Sequence, residues 1–245
     1  MFTPNLISRL KKAYQICLLT GYEMSFESGA PQIHGKEHIW NNYNLAKLAT
    51  LNAMQNNTEE FWEGFHAIRK SLQNIKPNLG HYSLVDLESM FKKFYLITLN
   101  EYNLHRVAGS KRLAELNGNI TRSRCTQCDF NRNEEIQNYN LTGIPKCPKC
   151  GSMLRPDIVL LDEKIQQRTI DAVNQAAATS EVFISIGVSN APKAIENLPF
   201  VAKGNGAYFL EINTHNTESA AHANEFVKGE CGKILPHLVT ALTDS

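Results

Sequence analysis

The sequence predicts an α/β fold, a doubly wound parallel sheet that carries a smaller inserted lobe. Three observations lead there. Short apolar runs alternate with helix-length segments, the first run ends in a glycine turn, and two C-x-x-C pairs interrupt the second half of the chain. Strands spaced by helices pair in parallel with helices on both faces. In such sheets the ligand site lies at the carboxyl ends of the strands.

Each element follows in chain order. "YQICLLTG" (14–21) is an apolar, partly β-branched run ending in Gly, the expected first strand and turn. Residues 36–93 read as helices. Thr58 is a plausible N-cap with Glu59 and Glu60 in the first turn, and Phe61, Phe65, Ile68 and Leu72 recur at helical spacing. "IKPNLG" breaks that helix, and "SLVDLESMFKKF" begins another with Leu84, Leu87 and Phe91 on one side. "FYLITLN" (94–100) reads as a second strand of the sheet, and "DIVLL" (157–161), "EVFISIGVS" (181–189) and "GAYFLEIN" (206–213) as three more. Their ends are polar: Thr20-Gly21, Asn100, Gly187-Val188-Ser189 and Asn213.

The chain has 245 residues, 42% of them apolar, enough for one sizeable α/β domain with an insertion. Its 25 basic and 24 acidic residues give a net charge of +1, so overall charge gives no reason to expect nucleic acid or anionic lipid as a partner. The first twenty residues lack a signal-peptide apolar core with a small-residue cleavage site, and no run approaches eighteen apolar residues. The expected location is the cytosol, without a membrane partner. Four of the six cysteines form "CTQC" (125–128) and "CPKC" (147–150), separated by eighteen residues. Each pair supplies two thiolates from one tight turn, so Cys125, Cys128, Cys147 and Cys150 complete a closed tetrahedral shell suited to a structural Zn²⁺. Cys17 and Cys231 lack such partners. The smaller lobe is therefore helical plus zinc ribbon (36–90 and 121–152), and the α/β lobe takes 1–35, 91–120 and 153–245.

Several motifs together resemble the sirtuin family over almost the whole chain. "GYEMSFESGAPQIHG" (21–35) is similar to the family's GAGxSxxSGIPxFRG and keeps Gly21, Ser25, Ser28, Gly29, Pro31 and Gly35. "PNLGHYSL" (77–84) resembles PNxAHxAL, "TLNEYNLHRVAG" (98–109) resembles TQNxDxLHxxAG, and "ELNG" (115–118) resembles ELHG. "LRPDIVLLDE" resembles LRPxVVxFGE, "IGVSNAPKAIENLP" the GTS region, and "EINTHNT" the family's INxExT. The resemblance implies a Rossmann-like fold and removal of acyl groups from lysine with NAD⁺. In that reaction the acyl oxygen attacks the nicotinamide ribose, and the histidine of ELHG deprotonates a ribose hydroxyl. It also implies cofactor contacts at Gly21, Ser25, Asn100, Ser189 and Asn213.

The departures cluster on the implied reaction centre. Asn117 stands in the place of the ELHG histidine, and an amide has no basic lone pair near neutral pH, whereas a general base supplies ~10²–10⁴-fold in rate. Tyr22 and Glu23 replace a small pair beside the implied cofactor phosphates, His34 replaces an Arg, Ile33 a Phe, Leu99 a Gln and Tyr102 an Asp. The expectation is a degenerate member of the family. It would have no intact catalytic residue and no NAD-dependent deacylation, would act as a binding or regulatory protein, and its first turn would be plugged so that NAD⁺ or ADP-ribose binds weakly or not at all. On that reading Asn117→His alone restores nothing. A peptide or nucleotide-like ligand in the cleft between lobes is the expected partner. The enzyme alternative is a divergent NAD-dependent deacylase, ADP-ribosyltransferase or NAD glycohydrolase, the last two needing no deacylation base.

Overall fold

The structure is a computed structural model that describes residues 2–31, 39–40, 43–189 and 191–244. Ile33, His34 and Gly35 lie outside the described residues. In chain order the elements are α1 (Pro4–Lys12), β1 (Gln15–Thr20), α2 (Glu23–Phe26), β2 (Ile39–Trp40), β3 (Tyr43–Asn44), α3 (Leu45–Leu48), α4 (Leu51–Asn56), α5 (Thr58–Ser71), α6 (Leu79–Met90), β4 (Lys93–Thr98), α7 (Leu104–Ala108) and β5 (Leu113–Glu115). They continue with β6 (Gly118–Cys125), β7 (Asn131–Asn133), β8 (Leu154–Ile158), α8 (Gln167–Ala178), β9 (Val182–Ile186), α9 (Leu198–Gly204), β10 (Tyr208–Asn213), β11 (Glu225–Lys228) and α10 (Cys231–Thr243). None of the described helices is long and apolar enough to cross a membrane.

Six strands form one parallel sheet in the order β11-β10-β9-β1-β4-β5. All six residues of β1 are buried. Successive side chains of a strand point to opposite faces, and Ile16 and Leu18 accordingly pack into the core of one face while Cys17 and Leu19 pack into the other. The first core is shared with Leu6 and Leu10 of α1, Leu84 and Leu87 of α6, and Ile234, Leu235 and Leu238 of α10. The second is shared with Val173 and Ala177 of α8 and Leu198 and Ala202 of α9. From β1 the chain moves outward to β4 and β5, then restarts beside β1 at β9 and moves the other way. The reversal opens a crevice between the carboxyl ends of β1 and β9, where open α/β sheets bind their ligands.

Local chemistry sets the helix starts. At α1, Pro4 occupies the first turn and Thr3 Oγ1 accepts from Leu6 N at 3.2 Å. At α6, Asn78 Oδ1 accepts from His81 N while His81 Nδ1 accepts from Asn78 N, a reciprocal box. At α5 the residue before the helix is Asn57, not Thr58, and Thr58 Oγ1 donates to Met54 O at 2.8 Å. Phe61, Phe65 and Ile68 face inward as the spacing predicts and join a separate core with Trp62, Leu45, Leu48, Ile120 and Leu154. That core is braced by Arg69, fully buried. Its Nε donates to Ile120 O at 2.8 Å, its Nη2 to Arg122 O at 2.9 Å and Ser123 Oγ at 3.0 Å, and Glu134 lies 3.6 Å from its Nη1.

Residues 157–161 do not enter the parallel sheet. The strand there is β8, which pairs antiparallel with β6 in a three-stranded sheet ordered β7-β6-β8. A buried apolar run reads the same in either sheet, and the cysteine turns, one closing β6 and one just before β8, hold this one against the ribbon. The large sheet gains instead the short edge strands β5 and β11, whose three and four residues carry little apolar signal.

Candidate functional site

The metal centre is built by two turns. Cys125 closes β6, and its Sγ accepts from Gln127 N and Cys128 N at 3.3 and 3.4 Å, so the first turn is wrapped around a sulfur. The four Sγ atoms lie within 4.8 Å of one another, with Cys125–Cys150, Cys128–Cys147 and Cys128–Cys150 at 3.5, 3.6 and 3.6 Å. Zn–S bonds of about 2.3 Å give a tetrahedron with edges of roughly 3.8 Å, so the donor set fits Zn²⁺. Hydrogen bonds from Ser152 hold the Cys150 thiol down to about 6, toward the thiolate a metal takes. Cys17 and Cys231 are buried thiols pushed up by burial.

The crevice at the carboxyl end of the sheet gathers the other predicted residues. Gly21 N donates to Ile186 O at 2.8 Å, and a Cβ on Gly21 would lie 2.1 Å from Gly187 O, so only glycine lets the turns after β1 and β9 approach this closely. Ser25 Oγ donates to Asn100 Oδ1 at 2.7 Å, and Asn100 Nδ2 donates to Gly21 O at 2.7 Å. The network continues inward through Thr98 Oγ1 to Thr20 Oγ1 (2.8 Å), which meets His105 Nε2 at 3.0 Å, and the His105 ring lies 4.8 Å from that of His81. Burial pulls His105 down to about 3, and burial with the neighbouring His105 pulls His81 down to about 2, so both imidazoles are neutral. Asn213 Nδ2 donates to Val188 O at 3.0 Å, and Ser189 sits beside it. Gly21, Ser25 and Asn100 thus form one hydrogen-bonded group and Ser189 and Asn213 another, with the turn after β1 between them.

The two bulky residues of that turn face opposite ways. The Tyr22 ring is buried in the α8/α9-side core, and its hydroxyl accepts from Asn117 Nδ2 at 2.9 Å. Asn117 Nδ2 also donates to Leu99 O at 2.9 Å, while no protein donor reaches its Oδ1 among the described residues. Glu23 reaches across to the second group. Its Oε1 accepts from Ser189 Oγ at 3.3 Å and lies 3.4 Å from His215 Nδ1, and its Oε2 accepts from Thr214 Oγ1 at 3.2 Å. Glu27, one turn on, accepts from Cys231 N and Gly232 N, both at 2.7 Å, at the start of α10. Sequence reasoning missed these partners, although one signal was available. His215 stands where the motif INxExT has its acid, so an acid is absent at 215 and present at 23, and the two positions meet. Tyr102 donates its hydroxyl to Pro31 O.

Two cavities flank the segment after β9. One, of about 470 Å³, lies over the crevice and is lined by Leu19, Ser189, Ile195, Phe200, His215 and Thr217 among others, with Glu196 and Glu218 and, among the described residues, no Lys or Arg. The other, of about 540 Å³, has Asn117 on its wall. The first suits the nucleoside half of a dinucleotide, with hydroxyl and imidazole partners along an apolar wall. Close by, Ser28 Oγ, His81 Nε2 and His105 Nδ1 are buried without partners among the described residues, which leaves hydrogen-bonding capacity around the Ser25–Asn100 group. These residues fit such a cofactor, while among the described residues the carboxylates of Glu23, Glu196 and Glu218 oppose a phosphate.

Comparison with known proteins adds the following. The family model described as Sir2 family matches residues 21–193. A protein of Pyrococcus abyssi named NAD-dependent protein deacylase is 34% identical over 90% of this chain and 90% of its own. One of Aquifex aeolicus with the same name is 39% identical over 82% of this chain and 84% of its own. A solved structure described as a Sir2 homolog–NAD complex superposes with a TM-score of 0.90 at 28% identity, covering 100% of this chain and 95% of that one. These findings overturn the expectation of a degenerate, binding-only protein. Relatives at this identity across nearly the whole chain are named as enzymes that depend on NAD, and Tyr22 lies in the core instead of lying across the cleft. The weak or absent binding of NAD expected from the turn falls with it.

Proposed function

The chain belongs to the Sir2 family, and from that premise we propose that it is an NAD-dependent protein deacylase acting on acylated lysine. The observation that carries the reading is the near full-length similarity to relatives bearing that name. The position of the crevice, at the sheet's reversal point with Ser25, Asn100, Ser189 and Asn213 converging on it, supports it. NAD⁺, when bound, supplies an ADP-ribosyl group that can accept the acyl oxygen.

The chain's own residues orient and exclude water. Ser189 and Asn213 would hold the nucleoside half, with the Glu23 carboxylate taking hydroxyl donors as it now takes those of Ser189 and Thr214. Asn100, fixed by Ser25 and Gly21, and the neutral His105–His81 pair behind it form a dry floor. Asn117 Oδ1 would accept a hydrogen bond from a ribose hydroxyl of the bound cofactor but would not remove its proton. The proton would then have to leave to solvent, which makes that step slow. Zn²⁺ on Cys125, Cys128, Cys147 and Cys150 would hold the ribbon and would take no part in the chemistry, because a closed shell leaves no open position.

Asn117 also favours a second reading, in which ADP-ribosyl transfer or NAD hydrolysis dominates, since neither needs that base. One experiment separates them: incubate the protein with NAD⁺ and an acyl-lysine peptide, and follow both nicotinamide and deacylated peptide. Equal yields support deacylation, nicotinamide in large excess supports the second reading, and no nicotinamide refutes both.

A further inference from the structure

The face of the large sheet that α8 and α9 cover is left open at the β4–β5 end. Alternate side chains of a strand share a face, so Lys93, Tyr95 and Ile97 of β4 lie on this one, and Ile97 with Ala114 of β5 reaches its core. β5 pairs only with residues 96–98, and α7, which lies between β4 and β5 in the chain, packs against α6 on the opposite face. The result is a cavity of about 500 Å³, with Tyr95, Ile97 and Ala114 beneath it and Ala172, Val173 and Ala176 of α8 along one side. Tyr95 stays 42% exposed there. The cavity shares no lining residue with the two described above. Its charge is one-sided: Lys92 and Lys93 stand exposed where β4 begins, Arg112 lines the outer edge, and among the described residues no Asp or Glu lines it. Arg112 is already engaged, with Glu88 at 3.3 Å and with Phe91 O and Lys92 O. The two lysines make no ion pair among the described residues, and their ammonium groups lie 5.9 and 5.5 Å from the centre of the Tyr14 ring.

An apolar trough ended by two unneutralised cations is complementary to an amphiphile with one anionic head. A second copy of the chain is a poor match, because a two-fold contact sets the same patch on both subunits and brings lysines against lysines. An added peptide strand is a poor match too. Arg112 takes the carbonyls just before β4, and its own carbonyl takes Leu96 N, so the edge presents no continuous ladder. A hydrocarbon chain needs no backbone partner, and each methylene it buries against these walls is favourable. At roughly 30 Å³ per methylene-sized unit, about sixteen carbons fill the cavity. We propose that this cavity is a binding site for a free long-chain fatty acid, with its carboxylate on Lys92 and Lys93 and its chain laid between β4 and α8.

The test titrates the full chain by calorimetry with palmitate, dodecanoate, dodecanol and dodecyltrimethylammonium, each below its micelle concentration. Palmitate is expected to saturate one site per chain, with dodecanoate about tenfold weaker or more, dodecanol weaker again and the cation not bound. Lys92→Glu combined with Lys93→Glu is expected to weaken palmitate about tenfold or more, and so is Ala172→Trp, which fills the cavity from an exposed position. A palmitate carrying a photoreactive diazirine is expected to label residues 92–97 or 172–176, read by peptide mass, with or without saturating ADP-ribose. Absence of saturable binding, equal binding of the alcohol or the cation, variants that bind as the unmodified protein does, or labelling confined to residues 159–170 overturns the proposal. A dimer that Ala172→Trp disperses, or lysine-dependent binding to phosphatidylglycerol vesicles without binding of free palmitate, overturns it as well, by giving the face to a second copy or to a lipid surface. Labelling of the unmodified protein decides the matter should a variant not fold.

Discussion

Replacing Asn117 by histidine is the most informative single change to this site. The amide is 3% exposed and its Nδ2 makes two hydrogen bonds of 2.9 Å, to Tyr22 Oη and Leu99 O. An imidazole there can keep the Leu99 bond with one ring N–H and present the other nitrogen, as a base, to the cavity side where Oδ1 is open. Burial, reinforced by the charge of Glu101, pushes the Tyr22 phenol well up, so it stays neutral and can serve an imidazole as donor or acceptor. One exchanged hydrogen bond costs about 1 kcal/mol of stability. A positioned base supplies ~10²–10⁴-fold, and the lower end is expected because the surroundings fit an amide. Deacylation in Asn117→His should therefore rise on the order of a hundred-fold, about 2.7 kcal/mol of barrier, with nicotinamide release changing far less. It should also acquire a limb rising with pH below the ordinary histidine value near 6.5, because burial disfavours the imidazolium, a limb the unmodified protein lacks. Parallel timed assays of the two products across pH 5.5–8.5 check this. Equal stimulation of both products, or no stimulation, would refute the argument that Asn117 limits only the deprotonation.

Chelation of a protein purified with about one zinc per chain should destabilise the β7-β6-β8 sheet first, read as early loss of Trp62 fluorescence change on melting, because the Arg69 brace ends on β6 carbonyls next to the cysteine turn. Gly21→Ala should cost about 3 kcal/mol or more in urea unfolding, since its Cβ would meet the Gly187 backbone at 2.1 Å and no flexible side chain is there to yield. His81 and His105 are depressed below their unfolded value near 6.5, so the unfolded chain binds more protons as pH falls. Stability is fully present above pH 6.5 and is lost below it, by up to about 1.4 kcal/mol per pH unit for each ring. His105→Phe should flatten that slope in denaturant titrations at pH 7.0, 6.0 and 5.0.

The sequence carried the parallel strands, the inward face of α5 and the cysteine shell because each depends on local periodicity or spacing. It misplaced residues 157–161 because burial alone does not say which sheet buries them. The contacts of Glu23 were out of reach for another reason: its partners Ser189, Thr214 and His215 are brought to it by the crossovers of the sheet, not by neighbourhood in the chain. Substitutions that looked like losses on a line of sequence become, in space, a buried Tyr22–Asn117 pair and a Glu23–His215 pair. Reading each departure alone led to an inactive protein, whereas the relatives are named as enzymes.

The central place of β1 also governs how this molecule comes into being. It is the first strand synthesised, yet Thr20 must wait for Thr98 on one side and Ile186 on the other. At ~5–20 residues per second, the second neighbour emerges roughly 8 to 30 s later. Until then "QICLLT" is an apolar, β-prone segment with both edges unpaired, a hazard for association on the ribosome. Truncations ending before β9 should accumulate as insoluble protein or as chaperone complexes, and slowing translation across α8 should lower the yield of native chain.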